Sequence, residues 1–348
     1  MERGFWKQLV KPIIGLAPMD GVTDAAFRFM SAKYGHPHVV YTEFTAAEGI
    51  EAGALRLMRD FRYSELERPV VAQVFGYHPE AFYKAALVAA ALGFDGVDIN
   101  MGCPAKNIAE AGSGAALIRT PDLAKEIVRE ARRGLEDWGR GVEIADAGLH
   151  PAILEYVHTE WARLDGAPVR CVLPLTIKTR IGYDAVAVEE WIKHLLEVEP
   201  VAIAIHGRTL KQLYTGLANW DAIGRAVEIA RGSGTMILGN GDVSSLAQAR
   251  ERVAQYGVDG VLIGRAAEGN PWVFADHTAT REEKLQACIE HSRYFEKISP
   301  DQRFLNMRKH LAWYCSGFDG ARELRIQLMT TQSADDVEKV IHAWNGKE

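Results

Sequence analysis

No stretch of this 348-residue chain approaches the 18 or so uninterrupted apolar residues of a transmembrane helix, so no membrane span is expected. The opening segment, Met1 to Lys11, carries charges and lacks the apolar run of a secretion signal. Cysteine is scarce: Cys103, Cys171, Cys288 and Cys315 are widely scattered and form no C-x-x-C pair. That argues against a zinc site or a disulfide framework, so no metal is expected, and it fits a reducing, cytoplasmic setting. An excess of positive charge is also missing, since the formal net charge is −6. Any contact with nucleic acid must then rest on a local basic face and not on the field of the whole molecule. Finally, no G-x-G-x-x-G turn follows the first candidate strand, where the sequence reads Ala17-Pro18-Met19-Asp20-Gly21. This weakens a doubly wound dinucleotide-binding sheet.

What the chain does contain is a regular alternation. Candidate strands are Ile13–Ala17, His38–Glu43, Val70–Phe75, Gly96–Asn100, Leu173–Thr179, Val201–His206, Met236–Gly239 and Gly260–Ile263. Between them lie segments of helical spacing, among them Thr23–Lys33, Pro79–Leu92, Pro121–Arg133, Val188–Val198, Trp220–Ala230 and Ser244–Tyr256. Strands alternating with helices imply parallel pairing with helical crossovers, and the number and length of these units fit a (β/α)8 TIM barrel. The barrel is expected over 1–276 and a small all-helical domain over 277–348, where the strand pattern stops. Residues 134–170 are too long for an ordinary helix–strand connection. They contain a helical, aromatic stretch, Asp146–Leu164, and are expected to form an inserted helical element.

Nearly every unusual polar cluster falls just after a strand, and in a barrel those ends meet on one rim. Gly239-Asn240-Gly241-Asp242 and Gly264-Arg265 close the last two strands, where barrels often hold phosphate. Tight turns with an incidental arginine are the plain alternative. Lys178 ends a strand and can set a positive charge against a flavin, form a Schiff base, or simply snorkel to solvent. Gln73, polar in an apolar strand, needs a partner that either a flavin edge or the barrel itself could supply. His206 can bind a ligand, move a proton or be structural. Cys103 lies in a Gly-Cys-Pro turn. Protonated at neutral pH it suits a general acid, and as a thiolate with a base it would be a nucleophile.

The stretches Leu16-Ala17-Pro18-Met19-Asp20-Gly21-Val22-Thr23-Asp24, Gln73-Val74-Phe75-Gly76 and Asp98-Ile99-Asn100-Met101-Gly102-Cys103-Pro104-Ala105-Lys106 occur in that order. They are followed by Lys178-Thr179-Arg180-Ile181-Gly182, His206-Gly207-Arg208-Thr209, Gly239-Asn240-Gly241-Asp242, Ile263-Gly264-Arg265-Ala266 and Met307-Arg308-Lys309-His310. This ordered set resembles the tRNA-dihydrouridine synthase family, most of all its bacterial B-type members. The resemblance implies an FMN-binding barrel followed by a helical tRNA-recognition domain. NADPH would reduce the flavin, which passes hydride to C6 of a uracil in tRNA, while Cys103 protonates C5. By motif position it assigns Pro18, Met19, Asp20, Gln73, Lys178, His206, Asn240, Gly241, Asp242, Gly264 and Arg265 to FMN. Asn100, Arg180, Lys106 and Arg208 are assigned to the substrate. Arg303, Arg308, Lys309, His310, Arg322 and Arg325, with Lys106 and Arg119 near the mouth, are candidates for the basic RNA face. No obligate protein partner is expected. Residues 134–170 exceed the family pattern and could extend the RNA surface, cover the site or be neutral. The rival readings are an FMN-dependent barrel reductase of a free pyrimidine or enone, and a tRNA-binding or folding module.

Overall fold

A computed structural model describes residues 2–163 and 166–345. Leu164, at the end of the expected inserted stretch, and the last three residues of the expected helical domain lie outside the described residues. In chain order the elements begin β1 (Ile13–Leu16), α1 (Ala25–Gly35), β2 (Val40–Tyr41), β3 (Thr45–Ala46), α2 (Ala47–Glu51), β4 (Val70–Phe75) and α3 (Pro79–Ala91). They continue β5 (Gly96–Met101), α4 (Lys106–Glu110), α5 (Pro121–Arg140), α6 (Pro151–Arg163), β6 (Leu175–Arg180) and α7 (Val188–Leu196). Then come β7 (Ala202–His206), α8 (Trp220–Ala230), β8 (Met236–Asn240), α9 (Leu246–Tyr256) and β9 (Gly260–Ile263). The chain ends in α10 (Arg281–Ile298), α11 (Arg308–Tyr314), α12 (Ala321–Leu328) and α13 (Ala334–Asn345).

All strand pairs are parallel, in the order β1-β9-β8-β7-β6-β5-β4-β2 with β3 also on β4. The expected strand His38–Glu43 is regular only over Val40–Tyr41, and a second short piece, Thr45–Ala46, follows beyond its end, both paired with β4. Backbone bonds from Leu16 N to Val39 O (3.0 Å) and from His38 N to Ile14 O (2.8 Å) bring β1 against the second strand. The result is a TIM barrel. Successive strand residues face opposite sides, and the burial follows that rule. Ile14, Leu16, Val70, Ala72, Val97, Ile99, Ile177, Ile203, Ile237 and Val261 pack outward under the helices. Ile13, Val39, Tyr41, Val71, Ala202, Ala204, Leu238 and Leu262 fill the barrel, with Trp6 from the chain's start. Helix entries follow from local chemistry. Asp24, Asn219 and Ser245 cap α1, α8 and α9 through their side chains, and a proline opens α3 and α5.

Two boundaries differ from expectation. Helix α5 does not stop at Arg133 but runs through Gly134 to Arg140 and ends on the left-handed Gly141. Gly134 is a contact residue: a Cβ there would lie 2.4 Å from the Tyr83 carbonyl oxygen, so its bareness is what lets α5 lie on α3. The extra segment therefore begins after α5, and α6 occupies only its middle. Trp161 of α6 donates to the Ala91 carbonyl at the end of α3 (2.6 Å), on the face opposite the carboxyl ends of the strands.

Helices α10–α13 bury Leu285, Phe295, Met307, Leu311, Leu324, Leu328, Val337 and Ile341 together with Ala26 and Met30 of α1 and with Trp272. The outer face of α1 is thus part of the C-terminal core. Phe29 stacks on Tyr294 with centroids 3.7 Å apart, and Glu290 accepts from Lys33 (2.5 Å) and Tyr34 (2.7 Å). Asp24 gives one oxygen to the Phe27 amide (2.9 Å) and presents the other 3.5 Å from His310 Nε2. His310, expected on an RNA-facing surface, is instead buried at 1% exposure against Phe27 and His291. The neighbouring Lys309 ammonium reaches back to the Gly21 carbonyl.

Gly134→Ala tests the packing of α5. Alanine is the better helix former, yet the clash is with backbone that cannot swing aside. We expect a loss of about 1–3 kcal/mol in chemical denaturation, as for other overpacked sites.

Candidate active site

The carboxyl ends of the strands open into a cavity of about 1120 Å³. Its wall includes Pro18, Met19 and Asp20 after β1, Asn100, Cys103 and Lys106 from β5 onward, and Lys178 and Arg180 on β6. His206, Asn240, Gly241, Asp242, Gly264 and Arg265 complete it from β7, β8 and β9. Of the residues expected at the site, Gln73 and Arg208 are not on this wall. Gln73 is fully buried below it and donates to Asp98 Oδ2 (2.7 Å) while accepting from Asn100 Nδ2 (2.9 Å). Arg208 lies behind His206 at 2% exposure. Among the described residues of 134–170 none lines the cavity.

The positive groups differ in what they leave available. Arg180 donates through Nε to the Gly102 carbonyl (2.6 Å) and through Nη1 to Thr209 (3.1 Å) and Leu213 (3.4 Å) carbonyls. It ties the Cys103 turn to the loop after β7. Lys178 pairs in register with Asn100, and among the described residues it has no hydrogen-bond acceptor. Burial, reinforced by Arg180, brings its ammonium down to about 8. An ammonium in that position calls for an anionic or carbonyl ligand.

At the opposite wall Asp242 is a bracket. Its Oδ2 accepts from Arg208 (2.6 Å) and the Ala218 amide (2.8 Å), and its Oδ1 from Arg265 (2.9 Å). The turn that places it needs glycine at 241, where φ is 125° and a Cβ would sit 2.8 Å from Ala218 Cβ. Asp242 itself has φ 53°. With both carboxylate oxygens engaged, Asp242 orients the two arginines, and Arg265 keeps more than half of its side chain exposed at the rim. His206 Nε2 lies 3.3 Å from Arg208 Nη1. A guanidinium can only donate, so Nε2 accepts and the ring proton sits on Nδ1. Burial and the charges of Lys178, Arg180, Arg208 and Arg265 push the imidazole down to about 2. It is neutral at physiological pH and has no acidic proton to deliver.

Cys103 is 8% exposed, and its amide donates to Asn100 Oδ1 (2.8 Å), as does that of Gly102 (3.0 Å). Burial, with Asp20 adding to it, pushes the thiol above its ordinary range. It is therefore protonated at neutral pH, which favours the general-acid reading over the nucleophile. Sequence reasoning missed Phe44 and Tyr214 on the wall. Tyr214 is 64% exposed, with the Arg265 guanidinium 5.7 Å from its ring. Its one signal is an aromatic within the long loop after the His206-Gly207-Arg208 cluster. Arg208→Ala strips Asp242 and His206 of a shared partner. The expected loss lies toward the low end of the ~3–5 kcal/mol typical of a broken buried pair, because Arg265 remains on Asp242. A thermal melt with a matched Arg208→Lys variant reads it.

A family model described as "Dihydrouridine synthase (Dus)" matches residues 15–138 and 167–345, leaving out 139–166, most of it in the extra segment, and the two ends. A protein of Staphylococcus aureus (strain COL) named "Probable tRNA-dihydrouridine synthase" is 32% identical over 353 residues, 98% of this chain and 95% of that one. "Probable tRNA-dihydrouridine synthase 2" of Bacillus subtilis (strain 168) is 31% identical over 356 residues, covering 100% and 98%. Among solved structures, DHODH from Eimeria tenella in complex with ferulenol aligns with TM-score 0.49 at 14% identity, over 81% of this chain and 82% of that one. With a family model over most of its length and relatives above 30% identity along all of it, the chain belongs to the dihydrouridine synthase (Dus) family and is, with that family, a flavin-dependent oxidoreductase.

Proposed function

We propose that this protein reduces the C5=C6 bond of uridine in tRNA, with FMN bound in the barrel mouth, NADPH as reductant and Cys103 as proton donor. The observation that carries the reading is a protonated, buried thiol on the same wall as an ammonium that has no acceptor among the described residues. The residues present fit FMN. Lys178 offers a positive charge to an electron-rich ring, and Arg265 with the bare backbone at Gly241 and Gly264 offers an anion-binding end. Pro18, Met19, Asp20, His206 and Asn240 would line its flanks. Gln73, buried below the wall, would support the site through Asn100.

Bound FMN supplies hydride to C6. The protein's own part is to hold the pyrimidine and provide the proton. Cys103 Sγ–H is poised to protonate C5, since its raised pKa keeps the proton in place until the acceptor carbon becomes basic. Asn100, fixed by Gln73, and Lys106, exposed at the mouth, would flank the base. Arg180 would act mostly by tying two loops together, and Arg208 by orienting His206 and Asp242. A uridine must leave its stack to enter, at a cost of a few kcal/mol that binding the rest of the tRNA offsets. Arg303, between α10 and α11, and Arg322 and Arg325 on α12 are exposed and suit such a contact, whereas Arg308 and Lys309 are half-buried.

Purified enzyme with NADPH should form dihydrouridine in unmodified tRNA, read by nucleoside mass spectrometry. Comparable turnover of free uridine would overturn the tRNA assignment. Cys103→Ala should retain flavin and tRNA affinity but lose about 10²–10⁴-fold in rate, the usual worth of a positioned general acid. Lys178 gives a second expectation. Its ammonium is charged below a pKa of about 8 and neutral above it, so FMN affinity of the cofactor-free protein should fall as pH rises through 8. In Lys178→Met the affinity should be lower and flat over the same range, measured by flavin fluorescence quenching.

A further inference from the structure

Asp98 is fully buried inside the barrel and lies below the cavity wall. The strand register sets it between two neighbours at the same height, Gln73 on β4 and Thr176 on β6. Its Oδ1 accepts from the Thr176 hydroxyl (2.6 Å) and its Oδ2 from Gln73 Nε2 (2.7 Å). Gln73 Oε1 accepts from Asn100 Nδ2 (2.9 Å), and Asn100 Oδ1 accepts the amides of Gly102 and Cys103. These contacts form one continuous chain from the middle of the barrel to the reactive thiol.

The direction of every link is forced from the ends. Backbone amides only donate, so Asn100 must turn its oxygen to the Cys103 turn and its nitrogen to Gln73. Gln73 must then show its oxygen to Asn100 and its nitrogen to the next group. That group has to be an acceptor, and a carboxylate is the side chain that accepts on both oxygens. Burial raises the Asp98 carboxyl to about 6, and the bonds from Thr176 and Gln73 with the Lys178 charge pull against that. At neutral pH it is ionised and can end the chain. An amide here without this anchor could rotate by half a turn at little cost. The Gly102 and Cys103 amides would then face a donor.

We infer that Asp98 is a positioning residue for Cys103, acting through Gln73 and Asn100 to fix the Gly102–Cys103 turn. The chain holds the amide side of the turn, while Arg180 on the Gly102 carbonyl and the Ala115 amide on the Cys103 carbonyl hold the other. Its consequence for turnover rests on the function proposed above.

The test is peptide-resolved alkylation of Cys103 by iodoacetamide, read by mass spectrometry on holoenzyme whose fold is checked by circular dichroism. Asp98→Leu removes the acceptor and frees the turn, so the thiol is less buried and more readily ionised. Cys103 alkylation should quicken about tenfold at fixed pH, the effect of one unit of thiol pKa on the thiolate fraction. Asp98→Asn keeps an oxygen toward Gln73 and can turn its nitrogen to the Thr176 oxygen, so it should restore the wild-type rate. Gln73→Met breaks the chain one link later and should resemble Asp98→Leu, which decides the matter if Asp98→Leu does not fold. Wild-type alkylation in folded Asp98→Leu or in Gln73→Met overturns the inference. In tRNA turnover, Asp98→Leu should lower kcat while KM for tRNA holds, and Asp98→Asn should lower neither. Because alkylation is read without turnover, it separates this inference from the assignment of the substrate.

Discussion

Charge can be carried in the upper half of a closed barrel only where each polar atom is matched, since an unpaired buried polar group costs several times what a typical hydrogen bond contributes. The lower interior of this barrel is hydrocarbon, from Ile13 and Val39 to Leu238 and Leu262. Above it the same inward positions carry Gln73, Asp98, Asn100, Thr176, Lys178, His206 and Asn240. Asn240 Nδ2 is matched by the Leu262 carbonyl (2.8 Å), His206 by Arg208, and Gln73 on both ends. Lys178, on the cavity wall, is a charge without an acceptor among the described residues. That charge opens onto the cavity, where a bound ligand could meet it.

The same matching divides labour among residues that look equivalent as letters. Three arginines approach the mouth, yet Arg180 bridges loops, Arg208 is locked behind His206, and Arg265 alone keeps a largely exposed head. Two groups stand where a proton could move, but burial, reinforced by four surrounding cations, holds His206 neutral, while burial keeps the hydrogen on Cys103. Of the two, the thiol holds the proton that could be delivered, while the histidine keeps a fixed Nδ1–H donor beside an acceptor that Arg208 already occupies.

The barrel was legible because strand alternation and the placement of odd polar residues after strands are local patterns. So was the rim itself, from Pro18 to Arg265. What failed to show was anything set by register between strands. Gln73 was visible as an anomaly, but its link to Asp98 depends on which residues of β4 and β5 stand opposite each other. Gly134 looked like a helix end because glycine weakens helices, while its contact with Tyr83 is a matter of how α3 and α5 cross. His310 looked basic and available, but its burial against Asp24 and Phe27 is decided by helices folding back onto α1.

That folding back has a mechanical meaning. Lys309 holds the Gly21 carbonyl and His310 meets Asp24, at the two ends of the loop that leads from the barrel rim into α1. The C-terminal helices are therefore mounted on the very segment that forms one edge of the mouth. A long ligand that grips both is gauged by a fixed span, like a workpiece clamped against a stop, and the point of it that falls over Cys103 is set by that span and not by any choice made at the cavity.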